Sequence, residues 1–314
     1  MTTRLAFLFP GQGSQAVGMG NDILKEFPET REIFEHVDDI CNKPISRLCF
    51  EGPIEDLTLT INLQPAITAV NLACLAVLTK AGVKISVSAG HSLGEYGAMV
   101  ASGVVTPYDA LRLVNMRGDL MHREALAHPG VMVAVLGKGI DEVSKVVEVA
   151  KKKGVISVAN HNTEEQIVIT GEAASLQYAT DLLNEQGGAK VIPLPVSGAW
   201  HSDLMKNAVD DFRHFMEGIK FSRPKSTMLF NATADTEESP EKIKDIMALQ
   251  LTSPVRWYDI VIKMIDDGID TFVEVGPKRV LSGLVKKIMP KGSDLKIYSA
   301  GNVKGLMKLL EAVK

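Results

Sequence analysis

Gly90-His91-Ser92-Leu93-Gly94 compresses a change of secondary structure into five residues, and that compression dictates much of what the chain can fold into. The β-branched run Val83 to Val87 before it reads as a strand, and Leu93 to Ala101 after it follows a helical period. A strand that becomes a helix this sharply lifts the serine hydroxyl above the sheet. The backbone N–H of Leu93 then faces the same space, where it can hold an oxyanion. The two glycines supply the unusual backbone angles and the room. This is the layout of a nucleophile elbow, and it predicts an α/β fold with Ser92 forming an acyl-serine. Read more plainly, the same residues are a glycine-rich turn with an incidental serine.

The rest of the chain repeats the α/β rhythm. Leu5 to Phe9 reads as the first strand, Glu29 to Ile40 as a polar helix, and Gln64-Pro65 opens a further helix with proline at its start. Thr106-Pro107 caps a helix that runs to about Leu126. From Val131 to Pro195 the order becomes βαββαβ, with strands at Val131–Leu136, Val155–Ala159, Gln166–Thr170 and Lys190–Leu194. Helices at Asp141–Lys153 and Ala173–Gln186 complete that unit, which is ferredoxin-like. It predicts a small subdomain over 128–196, inserted into a large one made of 1–127 and 197–314. A length of 314 residues suits one large and one small unit. Beyond the insert come a helix from His201, a strand at Thr227–Asn231, helices near Glu241–Leu251 and Trp257–Asp267, a strand at Thr271–Val275 and a helix at Val280–Ile288.

Charge and cysteine content narrow the partners. A net charge of −4 argues against nucleic acid as principal partner, because a phosphate-binding surface carries a basic excess. Cys41, Cys49 and Cys74 are odd in number and form no CxxC pair, so neither a disulfide framework nor a metal site is expected. They read as buried thiols in a reducing compartment. The apolar run Leu5 to Phe9 is too short for a signal-peptide core, and Ala66 to Leu78 is interrupted by Thr68 and Asn71. A cytoplasmic protein without a membrane span is the expectation.

Three further features bear on chemistry. Gly11-Gln12-Gly13-Ser14-Gln15-Ala16 matches GxGxxA after a strand, but Glu29 to Ile40 is helical where a dinucleotide fold needs a second strand ending in an acidic residue about twenty positions on. The segment is either a plain turn or a loop whose backbone N–H supplies a second oxyanion donor. Among seven histidines His201 is best placed as the base for Ser92, in the small-residue loop Val196-Ser197-Gly198-Ala199-Trp200-His201-Ser202, although a surface or capping histidine fits the same position. His91 should point away from Ser92 and suits an orienting role. Arg117, flanked by Val114, Met116 and Met121, is either a snorkelling side chain or, if it faces a pocket, a planar fork for a substrate carboxylate.

Three separated segments, Phe9-Pro10-Gly11-Gln12-Gly13-Ser14-Gln15, Gly90-His91-Ser92-Leu93-Gly94-Glu95-Tyr96 and the loop ending in His201, together resemble the malonyl-CoA:acyl carrier protein transacylases of bacterial type II fatty acid synthesis. Gln64-Pro65-Ala66, Met116-Arg117-Gly118, Asn160 with Asn162, Pro193 to Ser197, Gln250-Leu251 before Pro254-Val255, and Glu274-Val275-Gly276-Pro277 extend the likeness over almost the whole chain. The resemblance implies an α/β-hydrolase-like large subdomain with the ferredoxin-like insert. It implies malonyl-CoA as substrate, acyl carrier protein as partner, no permanently bound cofactor, and a ping-pong transfer through malonyl-Ser92. It makes His201 the base, oriented by the backbone carbonyl of Gln250, and gives the oxyanion hole to the N–H groups of Gln12 and Leu93. Arg117 would hold the malonyl carboxylate, with Gln64, His91 and Asn160 lining the pocket. Met121 and Trp200 stand beside them, although such side chains more often belong to a core.

Two positions depart from the pattern: Trp200 stands where malonyl-specific relatives commonly have phenylalanine, and Lys278 where glycine is common. Since carrier proteins are acidic, a basic rim is expected, with Lys190, Arg279, Lys286 and Lys287 as docking candidates or as ordinary solvated charge. The residues themselves leave two other readings. A serine esterase or thioesterase would need an acidic triad member and has no use for Arg117; a catalytically silent, carrier-binding scaffold has no use for Ser92, His201, Arg117 or Gln250.

Overall fold

Two sheets organise the protein in a computed structural model that describes residues 4–313. In chain order the strands are β1 (Leu5–Phe9), β2 (Val87–Gly90), β3 (Val131–Leu136), β4 (Ile156–Thr163), β5 (Gln166–Gly171), β6 (Lys190–Pro193), β7 (Thr227–Met228), β8 (Thr271–Glu274) and β9 (Lys296–Ser299). The large sheet has the order β7-β2-β1-β8-β9 and is parallel throughout. All of β1 and β2 is buried, as parallel strands covered on both faces must be. Side chains of β1 alternate between two cores. Leu5, Phe7 and Phe9 face the cluster that holds the helix Thr60–Lys80, while Ala6 and Leu8 face the helices Trp257–Asp266 and Val280–Ile288.

The second sheet is antiparallel, ordered β4-β5-β3-β6, with the helices Ile140–Ala150 and Ala173–Gln186 packed over a third apolar cluster. Its strands all fall between Val131 and Pro193. An isolated parallel bridge ties it to the rest of the molecule: His161 N–H donates to the Val255 carbonyl at 2.9 Å and Val255 N–H to the Ala159 carbonyl at 2.8 Å. The bridge and the adjoining bulge in β4 carry Asn160 and Asn162 toward the large sheet.

Several boundaries differ from the sequence expectation. The elbow strand begins at Val87, because Val83 N–H first closes the preceding helix on Leu78 and only Ser86 reaches β1, donating to Leu5. The helix expected to open at Gln64-Pro65 opens at Thr60, with Pro65 inside it; an apolar surround on every face outweighs the one hydrogen bond the proline removes. That helix is long and apolar enough to cross a membrane, but 89% of its apolar window is buried inside the fold, so it is a core helix. His201 does not start a helix. Ser202 caps a 3₁₀ turn, Asp203–Met205, and the α-helix follows at Asn207–Glu217. β7 ends at Met228, three residues short of the expected Asn231, as the chain turns through Phe230 to Asp235. The helices Ile45–Glu51 and Val303–Ala312 and the edge strand β9 have no counterpart in the sequence reading.

Candidate active site

Ser92 stands at the C-terminal end of β2 with φ at +50°, a left-handed conformation that a non-glycine residue adopts only when its surroundings impose it. The two glycines of the motif make that turn sterically possible. A Cβ on Gly90 would overlap the backbone of Gly94 and Glu95, and one on Gly94 would overlap the Phe9 carbonyl. Gly11 presses on the same turn, where a Cβ would strike the His91 carbonyl. The Gly11-Gln12 loop is therefore seated against the elbow, and Gln12 and Leu93 both line the cavity above Ser92. No protein acceptor takes the N–H of either residue among the described residues.

The Ser92 hydroxyl lies 2.8 Å from His201 Nε2. On the far side of the ring, His201 Nδ1 is 2.9 Å from the Gln250 carbonyl and 3.0 Å from the Ser253 carbonyl. Both carbonyls sit just beyond the C-terminus of the helix Pro240–Leu249, where main-chain oxygens lack intrahelical donors. Two acceptors at Nδ1 fix the proton there, so the Nε2 lone pair faces the serine. Burial, and next the positive charge of Arg117, push the imidazole down to about 3. The ring is thus a neutral acceptor at any ordinary pH.

Arg117, on the helix Pro107–Ala127, is 1% exposed and lies across the floor of the cavity. Its Nε and Nη2 donate to Gln250 Oε1 at 3.3 and 2.9 Å, Nη1 donates to Gln64 Oε1 at 2.8 Å, and Nη2 donates to the Ser92 hydroxyl at 3.1 Å. Gln250 thereby occupies the Nε/Nη2 edge and leaves the Nη1/Nη2 end toward the serine. The guanidinium carbon also sits 5.9 Å from the Tyr96 ring centre.

The cavity itself holds about 120 Å³, room for a short acyl group. His91, Met121, Asn160 and Trp200 line it, together with Met132, Leu194 and Val196, which the sequence analysis does not single out as lining. His91 turns its Nε2 to Asn162 Oδ1 at 2.8 Å rather than to Ser92. Gln64, expected in the lining, lies behind Arg117, with its Nε2 on Met121 Sδ at 3.3 Å. Its long amide reaches two buried partners there and has no face left for the cavity.

The profile of the acyl transferase domain family matches residues 6–305. The malonyl CoA-acyl carrier protein transacylase of Bacillus subtilis (strain 168) is 39% identical over 287 residues, covering 91% of this chain and 90% of the relative. The chain belongs to the malonyl-CoA:acyl carrier protein transacylase family. The Escherichia coli K12 transacylase is 36% identical, over 91% of this chain and 93% of that one. The crystal structure of an acyl carrier protein S-malonyltransferase from Vibrio cholerae superposes with a TM-score of 0.93 at 35% identity, over 98% of this chain and all of that one. A malonyl-transacylase in complex with its type II PKS acyl-carrier protein superposes at 0.94 with 34% identity, over 99% of this chain and 100% of that chain.

In this transacylase fold three further residues close around the elbow. Asn231 Oδ1 accepts the Ser92 N–H at 2.6 Å and its Nδ2 donates to the Gly90 carbonyl at 2.7 Å. Glu95, fully buried, accepts the Asn231 N–H at 2.7 Å and a further bond from Gln250 Nε2. Ser253 adds the second carbonyl behind His201. A glutamate three residues after the nucleophile, at the start of an otherwise apolar helix, is the one of these that the sequence could have flagged.

The basic candidates divide. Arg279 and Lys286 border a surface depression of about 330 Å³ together with Lys304 and Lys308, which the sequence reading did not include. Lys287 instead donates to Gln166 at the start of β5, and Lys190 lies at the matching end of β6, since both Gln166 and Lys190 pair with Leu136. Cys41, Cys49 and Cys74 are buried free thiols, and burial raises all three, Cys41 to about 12. Among the described residues no cluster of histidine, cysteine and carboxylate side chains is arranged to hold a metal.

Proposed function

We propose that this protein transfers the malonyl group of malonyl-CoA to the phosphopantetheine thiol of acyl carrier protein, supplying malonyl carrier protein for fatty acid synthesis in the cytoplasm. The observation that carries the reading is that a base and a guanidinium meet on one hydroxyl: His201 Nε2 at 2.8 Å and Arg117 Nη2 at 3.1 Å from Ser92 Oγ. A hydrolase has use for the first contact. The second supports a carboxylate-binding role for Arg117 beside the acyl carbon, which suits malonyl and not acetyl.

The reaction runs in two halves. As Ser92 Oγ bonds to the thioester carbon, its proton passes to His201 Nε2, and the carbonyl oxygen gathers negative charge between the N–H groups of Gln12 and Leu93. The carbon–sulfur bond breaks and His201 returns the proton to the departing CoA sulfur. The carrier thiol then gives its proton to Nε2 and attacks the acyl-serine; the ester bond breaks and the proton goes back to Ser92. Arg117 holds the malonyl carboxylate on its Nη1/Nη2 end, with Gln64 and Gln250 fixing the guanidinium from behind and Gln250 and Ser253 carbonyls fixing the imidazole. His91, Met121, Asn160 and Trp200 shape the wall against larger acyl groups. Each proton and each developing charge has a partner among these residues, so the CoA thioester enters as substrate and no resident cofactor is required. Arg279 and Lys286, with Lys190 and Lys287 along the neighbouring sheet end, form the basic rim for the acidic carrier.

Intact-protein mass spectrometry after incubation with malonyl-CoA tests the reading. One malonyl adduct is expected, mapped to Ser92 and discharged by holo carrier protein. A protein that stays unmodified, or that hydrolyses malonyl-CoA without loading the carrier, overturns it.

A further inference from the structure

We propose that Glu95 is a positioning residue for malonyl selectivity: its carboxylate dictates which way the Gln250 amide faces and through it where Arg117 presents its fork. The inference rests on the malonyl-transfer reading above. Gln250 has two acceptors on one side, Glu95 Oε2 and the Ser92 carbonyl, which is 3.0 Å from Nε2. On its other side are two donors, Arg117 Nε and Nη2. An amide can be turned over at little intrinsic cost, and its partners decide the direction. Turned over here, the oxygen would face two acceptors and the nitrogen two donors, and all four contacts would fail. Both Glu95 oxygens act as acceptors here, Oε1 of the Asn231 N–H and Oε2 of Gln250 Nε2–H, so Glu95 forces the orientation that offers Gln250 Oε1 to the guanidinium.

The second Glu95 oxygen extends the same control to the nucleophile. It accepts the N–H of Asn231, whose side chain holds the N–H of Ser92 and the carbonyl of Gly90. The Ser92 carbonyl is held by Gln250. One carboxylate therefore anchors both residues that clamp the peptide groups on either side of a serine held at φ +50°. It also explains why Ser92 N–H is spoken for while that of Leu93 is left to the cavity. Burial works against the charge, pushing Glu95 up to about 7 against the opposing pull of Gln250, Asn231 and Arg117. A carboxyl group that accepts two buried hydrogen bonds beneath an active site, with a planar amide between it and the guanidinium that lines the cavity, is placed to orient.

The test is the ratio of kcat/KM for malonyl-CoA to that for acetyl-CoA, measured in the full chain with holo carrier protein as acceptor. Malonyl transfer by the wild type is established first, and its absence there fails the functional reading and not this one. In E95Q the new amide can satisfy Asn231 with its oxygen, but its NH₂ then opposes Gln250 Nε2 and turns that amide against Arg117. The malonyl-over-acetyl ratio is expected to fall at least tenfold beyond any loss common to both, chiefly through KM for malonyl-CoA. The exchange E95Q/Q250E returns an acceptor to Arg117 and to the new amide, and should recover part of the ratio. A folded E95Q that keeps the wild-type ratio within twofold, or an exchange variant that folds without recovering it, overturns the proposal. If E95Q does not fold but the exchange variant folds with a malonyl preference, the proposal holds; if neither folds, Glu95 serves the fold alone and the positioning role is wrong.

Discussion

Replacing Arg117 with alanine separates what the guanidinium does for the substrate from what it does for the site. The malonyl carboxylate would occupy the Nη1/Nη2 end, gaining two charge-assisted hydrogen bonds of about 1.5–3 kcal/mol each. In R117A the carboxylate enters a cavity whose floor has lost its cation, and an unpaired buried charge costs about 3–5 kcal/mol. At 1.36 kcal/mol per tenfold, kcat/KM for malonyl-CoA should fall by roughly 10²–10⁴. Acetyl-CoA has no carboxylate to strand. It loses only the Nη2 contact to Ser92, about 1 kcal/mol. In partial compensation, removing the charge that stands second to burial in depressing His201 lets the imidazole recover basicity. Acetyl transfer should therefore change by less than about tenfold, and the preference for malonyl should collapse. Steady-state kinetics with both thioesters, on protein whose circular dichroism matches wild type, decide the matter. Parallel losses for the two substrates would refute the carboxylate role, because they would mean that Arg117 serves only Ser92 and its glutamine partners.

Two further outcomes follow from the charges around the site. His201 has a folded pKa of about 3 against an ordinary 6.5, so between those values the unfolded chain carries a proton that the folded one does not, and stability falls as pH falls. Glu95, raised to about 7 from 4.5, slopes the other way, its contribution being lost as pH rises through 7. Comparison with His201→Asn isolates the first effect: urea unfolding should show wild type losing up to about 1.4 kcal/mol per pH unit relative to the variant from pH 6.5 down to about 4, and equal slopes would contradict a buried neutral imidazole. At the rim, the double charge reversal R279E/K286E should raise KM for carrier protein severalfold at low salt, with that for malonyl-CoA moving far less. An unchanged carrier KM would remove those two residues from the docking surface.

How far the sequence led depended on whether a feature is local. The elbow was legible because its chemistry is confined to consecutive residues: a strand, two glycines demanded by backbone overlap, and a serine between them. The antiparallel unit was legible because its βαββαβ order is a local alternation, and only the ends of its elements moved. His201 can be ranked but not decided from its loop, since what suits it to the base role is the pair of carbonyls some fifty residues away, at 2.9 and 3.0 Å. Gln64 was assigned to the right neighbourhood and the wrong side of Arg117, because periodicity does not reveal which of two buried polar side chains stands in front. Asn231 reads as the last residue of a strand; its side chain matters only because the turn after β7 brings it to Ser92. The edge strand β9 is half polar and four residues long, too weak a pattern to detect without β8 beside it.

The two carbonyls behind His201 also bear on how such a site would favour transfer over hydrolysis. A carboxylate in that position would stabilise the imidazolium, whereas two neutral acceptors give far less, and Arg117 adds an opposing charge. The result is a weak base, able to take a proton only as the new bond forms. A thiol with a pKa of about 8.5 needs little help from such a base, and water, near 15.7, needs a great deal. Weak basicity therefore discriminates between the two acceptors that compete for the acyl-serine, by a difference in acidity that no shape of pocket could supply. The Ser92 hydroxyl is itself about as weak an acid as water, so the first half-reaction leans on the proposed oxyanion donors, the N–H groups of Gln12 and Leu93, to draw off charge as the proton leaves. The same weakness helps the leaving group, since an imidazolium that holds its proton loosely hands it readily to a departing thiolate. Replacing a triad carboxylate by main-chain oxygens thus tilts a serine nucleophile toward thiol exchange.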